Sequence, residues 1–350
     1  MSITKKMFGK TKNGEQVTWY TLENKHGMKA EFIDYGAILV NLFTADKNGK
    51  FDDIVLGYDN LESYETKNAP GFGSFIGRHA NRIGGASFQL NGKTYQLEKN
   101  DGNNNLHGGT PGYNRVMYQA KTESEENADR ITFIRTSPDG EQGYPGNLDL
   151  KMTYVLNNDN ELILIYEAVS DQDTLVNLTN HTYFNLSGHD SGSILDHKVV
   201  IKANEFTPTT DDLIPTGERM AVKGTPMDFT SPRRIGDDID ADFDPIKIAG
   251  GYDHNFVLDR DDNGEVVYAG ELIDEASGRK MIIETDLVGM QLYTGNFIQD
   301  ENGKGGAKYK KRDGVCFETQ FFPNSCNVSS FKSCVCRAGE AFKSVTKYKF

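Results

Sequence analysis

An antiparallel all-β architecture is the fold class that the sequence predicts, and three observations predict it. Helical periodicity is nearly absent along the 350 residues. Short β-branched and aromatic runs recur instead, each ending in turn residues. Glycine is abundant, at 36 residues, and aromatic residues reach 11%, a pairing that suits many strands joined by tight turns. Such a pattern implies stacked sheets, a sandwich or a barrel. No fixed-period repeat suggests a propeller and no composition break marks a linker, so residues 1–350 are expected to form a single domain.

The strands are read in order from "AEFIDYGAILVNLFTAD", "ASFQLNGKTYQL", "RITFIRTS", "LDLKMTYVL", "ELILIYEAVS", "KVVIKA", "EVVYAGELI" and "KMIIETD". Asn91-Gly92 between two alternating runs is a strong hairpin signal. "LNNDNE", at 156–161, predicts a second hairpin. "DRDDNGEVVYAG" begins like a calcium loop, but its twelfth position is Gly270 rather than glutamate, so a polar hairpin turn is expected there. The loops at 99–115 and 136–147 are long and glycine-rich, the places where sites sit on a rigid β scaffold.

A formal charge of −13 argues against a nucleic-acid partner or an anionic membrane surface. No membrane span or secretion signal is read, and the four cysteines are expected to be free thiols in a reducing cytoplasm. The four Asn-x-Ser/Thr sequons are then accidental.

Among seven histidines, two stand out. His107 lies in a glycine-rich loop, "NNNLHGG", where backbone can approach a ligand closely. His181 lies in "NLTNHTYFNLSG", a strand-like run whose alternation puts His181 and Tyr183 on one face. A metal site needs three or more ligands, and no His-x-His pair supports one. That leaves structural, acid/base or ligand-binding roles for both. Glu318 sits inside the apolar run "DGVCFETQFFPNS", where burial would raise its basicity. Arg82, Asp253 and Gln291 also lie in glycine-flanked segments, where on sequence alone solvent-facing and functional readings weigh equally.

Taken in order, "DYGAIL", "IGRHANRI", "NNNLHGG", "GEQGYPGNL", "NHTYFNL", "TPMDF", "GGYDHNFVL", "MQLYTGNF" and "FETQFFPNS" resemble the aldose 1-epimerase family, the galactose mutarotases, along essentially the whole chain. The resemblance implies a large antiparallel β-sandwich of the galactose mutarotase-like supersandwich type with an open sugar cleft. It implies interconversion of the α and β anomers of free aldohexoses, galactose and also glucose, as the first step of galactose metabolism by the Leloir pathway. It also implies no cofactor, no metal, and a small-molecule sugar as substrate, and leaves protein partners open. Carried over by motif, Glu318 matches the general base and His181 the general acid, with the Asn and Tyr neighbours of His181 fixing its ring. His107 matches a second histidine beside the sugar. Asn81, Arg82, Asp253 and Gln291 match hydroxyl-binding positions, with Tyr183 beside them. Phe72, Tyr183 and Phe297 are candidates to cover an apolar sugar face. His79, Asn324 in "FPNS" and the cysteine-bearing tail depart from the family pattern.

The chemistry suits these residues. Anomers interconvert when the C1 hydroxyl loses a proton and the ring oxygen gains one. Glutamate and histidine, with ordinary pKa values of about 4.3 and 6.5, can serve both ends after modest shifts. Three other readings stand beside this one: a glycosidase, which would need two catalytic carboxylates; a sugar sensor, which would lack the pair; and a hexose 6-phosphate epimerase, which would need a phosphate-binding cluster.

Overall fold

The computed structural model describes residues 2–350. Three antiparallel sheets dominate. Strands Ser2–Lys10, Gln16–Glu23, Lys29–Ile33, Ile38–Ala45 and Phe51–Asp53 form an N-terminal meander in chain order. A nine-stranded sheet runs Gln119–Ser124, Ala128–Ser137, Leu148–Asn157, Glu161–Ser170, Ala341–Lys349, Arg279–Thr285, Val267–Asp274, Lys198–Ile201 and Arg233–Arg234. A third sheet runs Met220–Ala221, Glu205–Phe206, Asp253–Val257, Gly289–Tyr293 and Cys316–Gln320. Only two short α-helices occur among the described residues, Leu61–Thr66 and Asp244–Ala249.

Alternation explains why these segments stack. In Glu161–Ser170 the residues Leu162, Leu164, Tyr166 and Ala168 are buried, and the intervening positions are more exposed. Their burial joins one core with Phe32 of the meander and Phe256 and Phe317 of the third sheet. Phe32 and Tyr154 pack with ring centroids 4.5 Å apart. Full burial of each such side chain contributes about 1.5–3 kcal/mol. Both predicted hairpins form: Ser87–Leu90 pairs with Lys93–Gln96 through Asn91-Gly92, and Leu148–Asn157 pairs with Glu161–Ser170. Asn91 and Gly92 both take positive φ, as a type I′ turn requires.

Two expectations change. The polar segment 258–266 is not a hairpin turn: it links Asp253–Val257 in the third sheet to Val267–Asp274 in the nine-stranded one. The run around His181 holds only a three-residue strand, Thr179–His181, paired with Ser74–Ile76. Its asparagines interrupt it by bonding backbone elsewhere. Asn177 accepts from the Phe321 amide at 2.9 Å, and Asn185 donates to the Asp313 carbonyl at 3.0 Å. Asn180 donates to the Gly73 carbonyl at 3.2 Å and to the Tyr154 hydroxyl at 2.9 Å. These buried amides are therefore satisfied, and three of the four sequon asparagines are enclosed.

One buried ion pair fixes a loop that borders the site. Lys304 Nζ donates to the Val40 carbonyl at 2.7 Å, to Asn41 Oδ1 at 2.8 Å and to Asp53 Oδ2 at 2.5 Å. Three residues earlier, Glu301 accepts from the Tyr58 hydroxyl at 3.0 Å. Removing one partner of such a pair leaves a buried, uncompensated charge. Lys304→Ala is expected to lower the unfolding free energy by about 3–5 kcal/mol in urea titration. A change under about 1 kcal/mol would show that the pair is solvated like a surface one.

Candidate active site

The face of the third sheet away from the core supplies one wall of a cleft of about 560 Å³. Strand period puts Cys316 and Glu318 on that face, while Phe317 points into the core. Register then sets Glu318 opposite Gln291, and Tyr293 between Cys316 and Asp253. The opposing wall comes from the segment 68–82 and the loop carrying His107. Thr179–His181 lies alongside and inserts His181 between the walls.

His181 and Glu318 meet, with Nε2 and Oε1 3.6 Å apart. Both side chains are almost wholly buried. Burial, and then the charge of Asp253, holds the Glu318 carboxyl well above the usual carboxylate range, although Arg82 opposes this. Burial lowers the His181 ring to about 4. Glu318 Oε2 is buried without a protein hydrogen-bond partner. The His107 and His181 rings stand edge to face, 5.2 Å apart. Desolvation, then His181 and Arg82, pushes His107 well below its ordinary value, so its ring is neutral.

His107 is held by an unusual backbone pair. The His107 amide donates to the Asn81 carbonyl at 3.1 Å, and the Asn81 amide donates to His107 Nδ1 at 3.1 Å. Both residues adopt left-handed φ values, 60° for Asn81 and 53° for His107. Because Nδ1 accepts, the neutral ring carries its proton on Nε2 as a donor. This bears on metal binding. Ligand atoms of His107, His181 and Glu318 lie within 4.8 Å of one another, the composition of a divalent-cation triad. A ligating imidazole offers a lone pair to the metal and donates from its other nitrogen. His107 has the reverse arrangement, so the three do not make a ligand set as they stand.

The remaining candidates divide by position. Arg82 Nε donates to Asp101 at 2.7 Å, and its Nη1 lies 3.8 Å from Asp253. Asn81, Arg82 and Asp253 line the cleft. Gln291 reaches it through Asp253, donating to Oδ1 at 2.7 Å. Tyr183 lines the cleft with its ring, but its hydroxyl donates to the Pro70 carbonyl at 2.8 Å. Phe72 is fully buried behind Tyr183, at 4.9 Å between rings, and does not reach the cleft. Phe297 is 55% exposed at the rim and stacks on Tyr293 at 6.0 Å. The asparagines near His181 fix the strand rather than the ring; Cys316, with Sγ 3.6 Å from Nδ1, touches it directly.

Asp101, Tyr293 and Cys316 were missed. Tyr293 was signalled by its period-two spacing from Gln291, and Cys316 by the same spacing from Glu318. The departures are accommodated. Asn324 Oδ1 accepts from the Gly84 amide at 3.0 Å, a task for which an acceptor oxygen suffices. His79 is fully buried, and burial lowers it to about 4 although the Ala80 and Asn81 backbone opposes this, so its ring is neutral. All four cysteines are free.

The structure is thus an antiparallel all-β sandwich with a polar cleft in which a buried carboxyl meets a buried imidazole. The family model for aldose 1-epimerase matches residues 18–349. Galactose mutarotase of Homo sapiens is 39% identical over 350 residues, spanning 100% of this chain and 98% of that one. Aldose 1-epimerase of Escherichia coli (strain K12) is 33% identical, with coverage of 97% and 96%. The crystal structure of galactose 1-epimerase from Lactobacillus acidophilus superimposes with a TM-score of 0.87 at 28% identity, covering 100% of this chain and 98% of that one. An aldose epimerase homologue from C. elegans gives 0.83 at 29% identity, covering 94% and 97%. The chain belongs to the aldose 1-epimerase family, a family of isomerases.

The loop geometry yields a test. Gly108 has φ +84°, and a Cβ there would lie 2.3 Å from the Gly77 carbonyl oxygen. Gly108→Ala must therefore displace His107 or strain its loop, at a cost on the order of 1–3 kcal/mol. The expected result is a lower melting temperature together with a raised KM for sugar. Unchanged values of both would show that the loop yields without moving His107.

Proposed function

We propose that this chain is an aldose 1-epimerase of free aldohexoses, D-galactose and also D-glucose, acting at the entry to galactose metabolism, the Leloir pathway. The observation that carries the reading is the 3.6 Å approach of His181 Nε2 to Glu318 Oε1 in a desolvated, polar-walled cleft. The names of the relatives, galactose mutarotase and aldose 1-epimerase, support the same substrate class.

In the productive state Glu318 is ionised and His181 protonated. Glu318 removes the proton of the C1 hydroxyl while His181 Nε2–H delivers one to the ring oxygen. The C1–O5 bond breaks, C1 becomes an aldehyde carbon, and the C5 hydroxyl is formed. Rotation about C1–C2 presents the other face of the carbonyl. On closure His181 takes back the O5 proton and Glu318 returns its proton to the C1 oxygen, by microscopic reversibility. No proton is gained or lost overall.

The surrounding groups bind hydroxyls. Arg82 and His107 Nε2–H act as donors, Asp253 as an acceptor held by Gln291, and Asn81 supports His107. Phe297 offers a flat apolar surface to one sugar face. No charge on the substrate is called for, in keeping with a wall where Arg82 already faces Asp101 and Asp253.

Polarimetry of freshly dissolved α-D-galactose tests the reading, with glucose run alongside. The enzyme should hasten decay to an unchanged final rotation. Glu318→Gln should lower kcat by about 10²–10⁴-fold and leave the melting temperature intact. Near-normal turnover in that variant would remove Glu318 from the chemistry.

The pH dependence follows from the pair as a unit. With His181 lowered and Glu318 raised, the pair holds one proton over a wide span. Moving that proton from carboxyl to imidazole changes no proton count, so the productive fraction is independent of pH inside the span. Below pH about 4 His181 binds a second proton and no base remains. Above the raised Glu318 value the single proton leaves and no acid remains. The expected kcat/KM profile is a broad plateau falling on both sides. A single sigmoid centred near pH 6.5 would instead indicate an ordinary solvated histidine.

A further inference from the structure

Cys316 and Glu318 project from the same face of one strand, two positions apart, and bracket the imidazole of His181. Glu318 Oε1 faces Nε2 at 3.6 Å and Cys316 Sγ faces Nδ1 at 3.6 Å. The sulfur is buried without exposure, and burial, with Glu318 and Asp253 nearby, pushes its thiol well above the usual range, so it is S–H and not thiolate. We propose that Cys316 is a positioning residue whose sulfur accepts the Nδ1–H of His181, so that the ring's lone pair and its exchangeable proton are confined to Nε2.

The proposal rests on the acid/base reading of the site and adds what holds the acid in register. If the neutral ring carried its proton on Nε2, the proton shared with Glu318 would have no lone pair to enter. With Nδ1–H held on sulfur, the Glu318 acid proton lies toward the Nε2 lone pair, and the neutral pair becomes the productive ion pair by one transfer along that line. The Nδ1 proton never moves, and no bond to sulfur is made or broken. His107 is set the opposite way, its Nδ1 accepting from the Asn81 amide, so the two neighbouring histidines have different tautomers and different tasks.

A thiol suits this place better than the commoner partners. A carboxylate against Nδ1 would stabilise the imidazolium and hold the proton on the ring. Sulfur is a weak acceptor and adds little bias between the charge states that His181 must alternate between.

Histidine 15N shifts of the intact wild-type enzyme near neutral pH, with the His181 signal assigned by its loss in His181→Asn, are the first readout. The neutral Nδ1–H pattern is expected for His181; the Nε2–H pattern would overturn the proposal. In Cys316→Ala the signal should move toward the Nε2–H pattern, with kcat lowered about tenfold and KM little changed. Cys316→Ser, whose hydroxyl also accepts, should restore both. An Ala variant with wild-type shifts and wild-type kcat would overturn the proposal, and if that variant does not fold, the wild-type and Ser spectra decide. A wild-type enzyme without mutarotation would defeat the functional reading, while the 15N pattern would still judge Cys316.

Discussion

A carboxyl group and an imidazole held together away from water is the interaction on which the rest of this molecule depends. In water each would keep its own proton equilibrium and the two would act independently. Inside the cleft desolvation disfavours the ionised form of each. The two charges become affordable only together, as a pair in which one proton has moved. In the proposed reaction that coupling lets the carboxyl act as base and the imidazole as acid. It also requires that the sheet beneath them be rigid, since a displacement of about 1 Å at such a contact is costly to rate.

The rigidity comes from the way strands overlap. Cys316–Gln320 is buried along its whole length, with one face against the core and Glu318, on the other, in the cleft. On the core side, Tyr348 of the last strand donates to the Phe317 carbonyl at 3.2 Å. The edge carrying Glu318 is thereby tied to the nine-stranded sheet. His181 arrives from a different strand, whose asparagines bond to backbone on several sides. Polar residues that look misplaced in an aromatic run are the fastenings of a segment too short to be held by its own ladder. Lys304 plays the corresponding part for the loop near Glu301.

The fold was legible because it is written in local signals. Period-two runs and an Asn-Gly turn specify strands and hairpins without reference to distant residues. The site was legible where a residue contradicts its surroundings: Glu318 in an apolar strand, or His107 among glycines. The segment 258–266 misled because turn chemistry marks a reversal and not the sheet that the chain enters next. Cys316 was illegible for a different reason. A cysteine in an apolar run is compatible with packing, and its contact with His181 spans 135 residues of sequence, as does the wall that makes it meaningful. Gln291 shows the same limit, since its place behind Asp253 follows from sheet register and not from its own motif.

The two histidines show how much of such a site resides in what lies behind it. Their side chains are chemically identical, and their rings stand 5.2 Å apart in the same desolvated cleft. What separates them is the atom against Nδ1: a backbone N–H for His107, a sulfur for His181. The N–H makes His107 Nε2–H a fixed donor, the role proposed for it toward a sugar hydroxyl. It also turns that ring's lone pair away from the cleft, which denies a divalent cation its third ligand. In the proposed arrangement the sulfur leaves His181 free to change charge. Division of labour between like residues is thus set by single atoms of the supporting layer, and that layer is positioned by strand alternation in one case and by a left-handed backbone in the other.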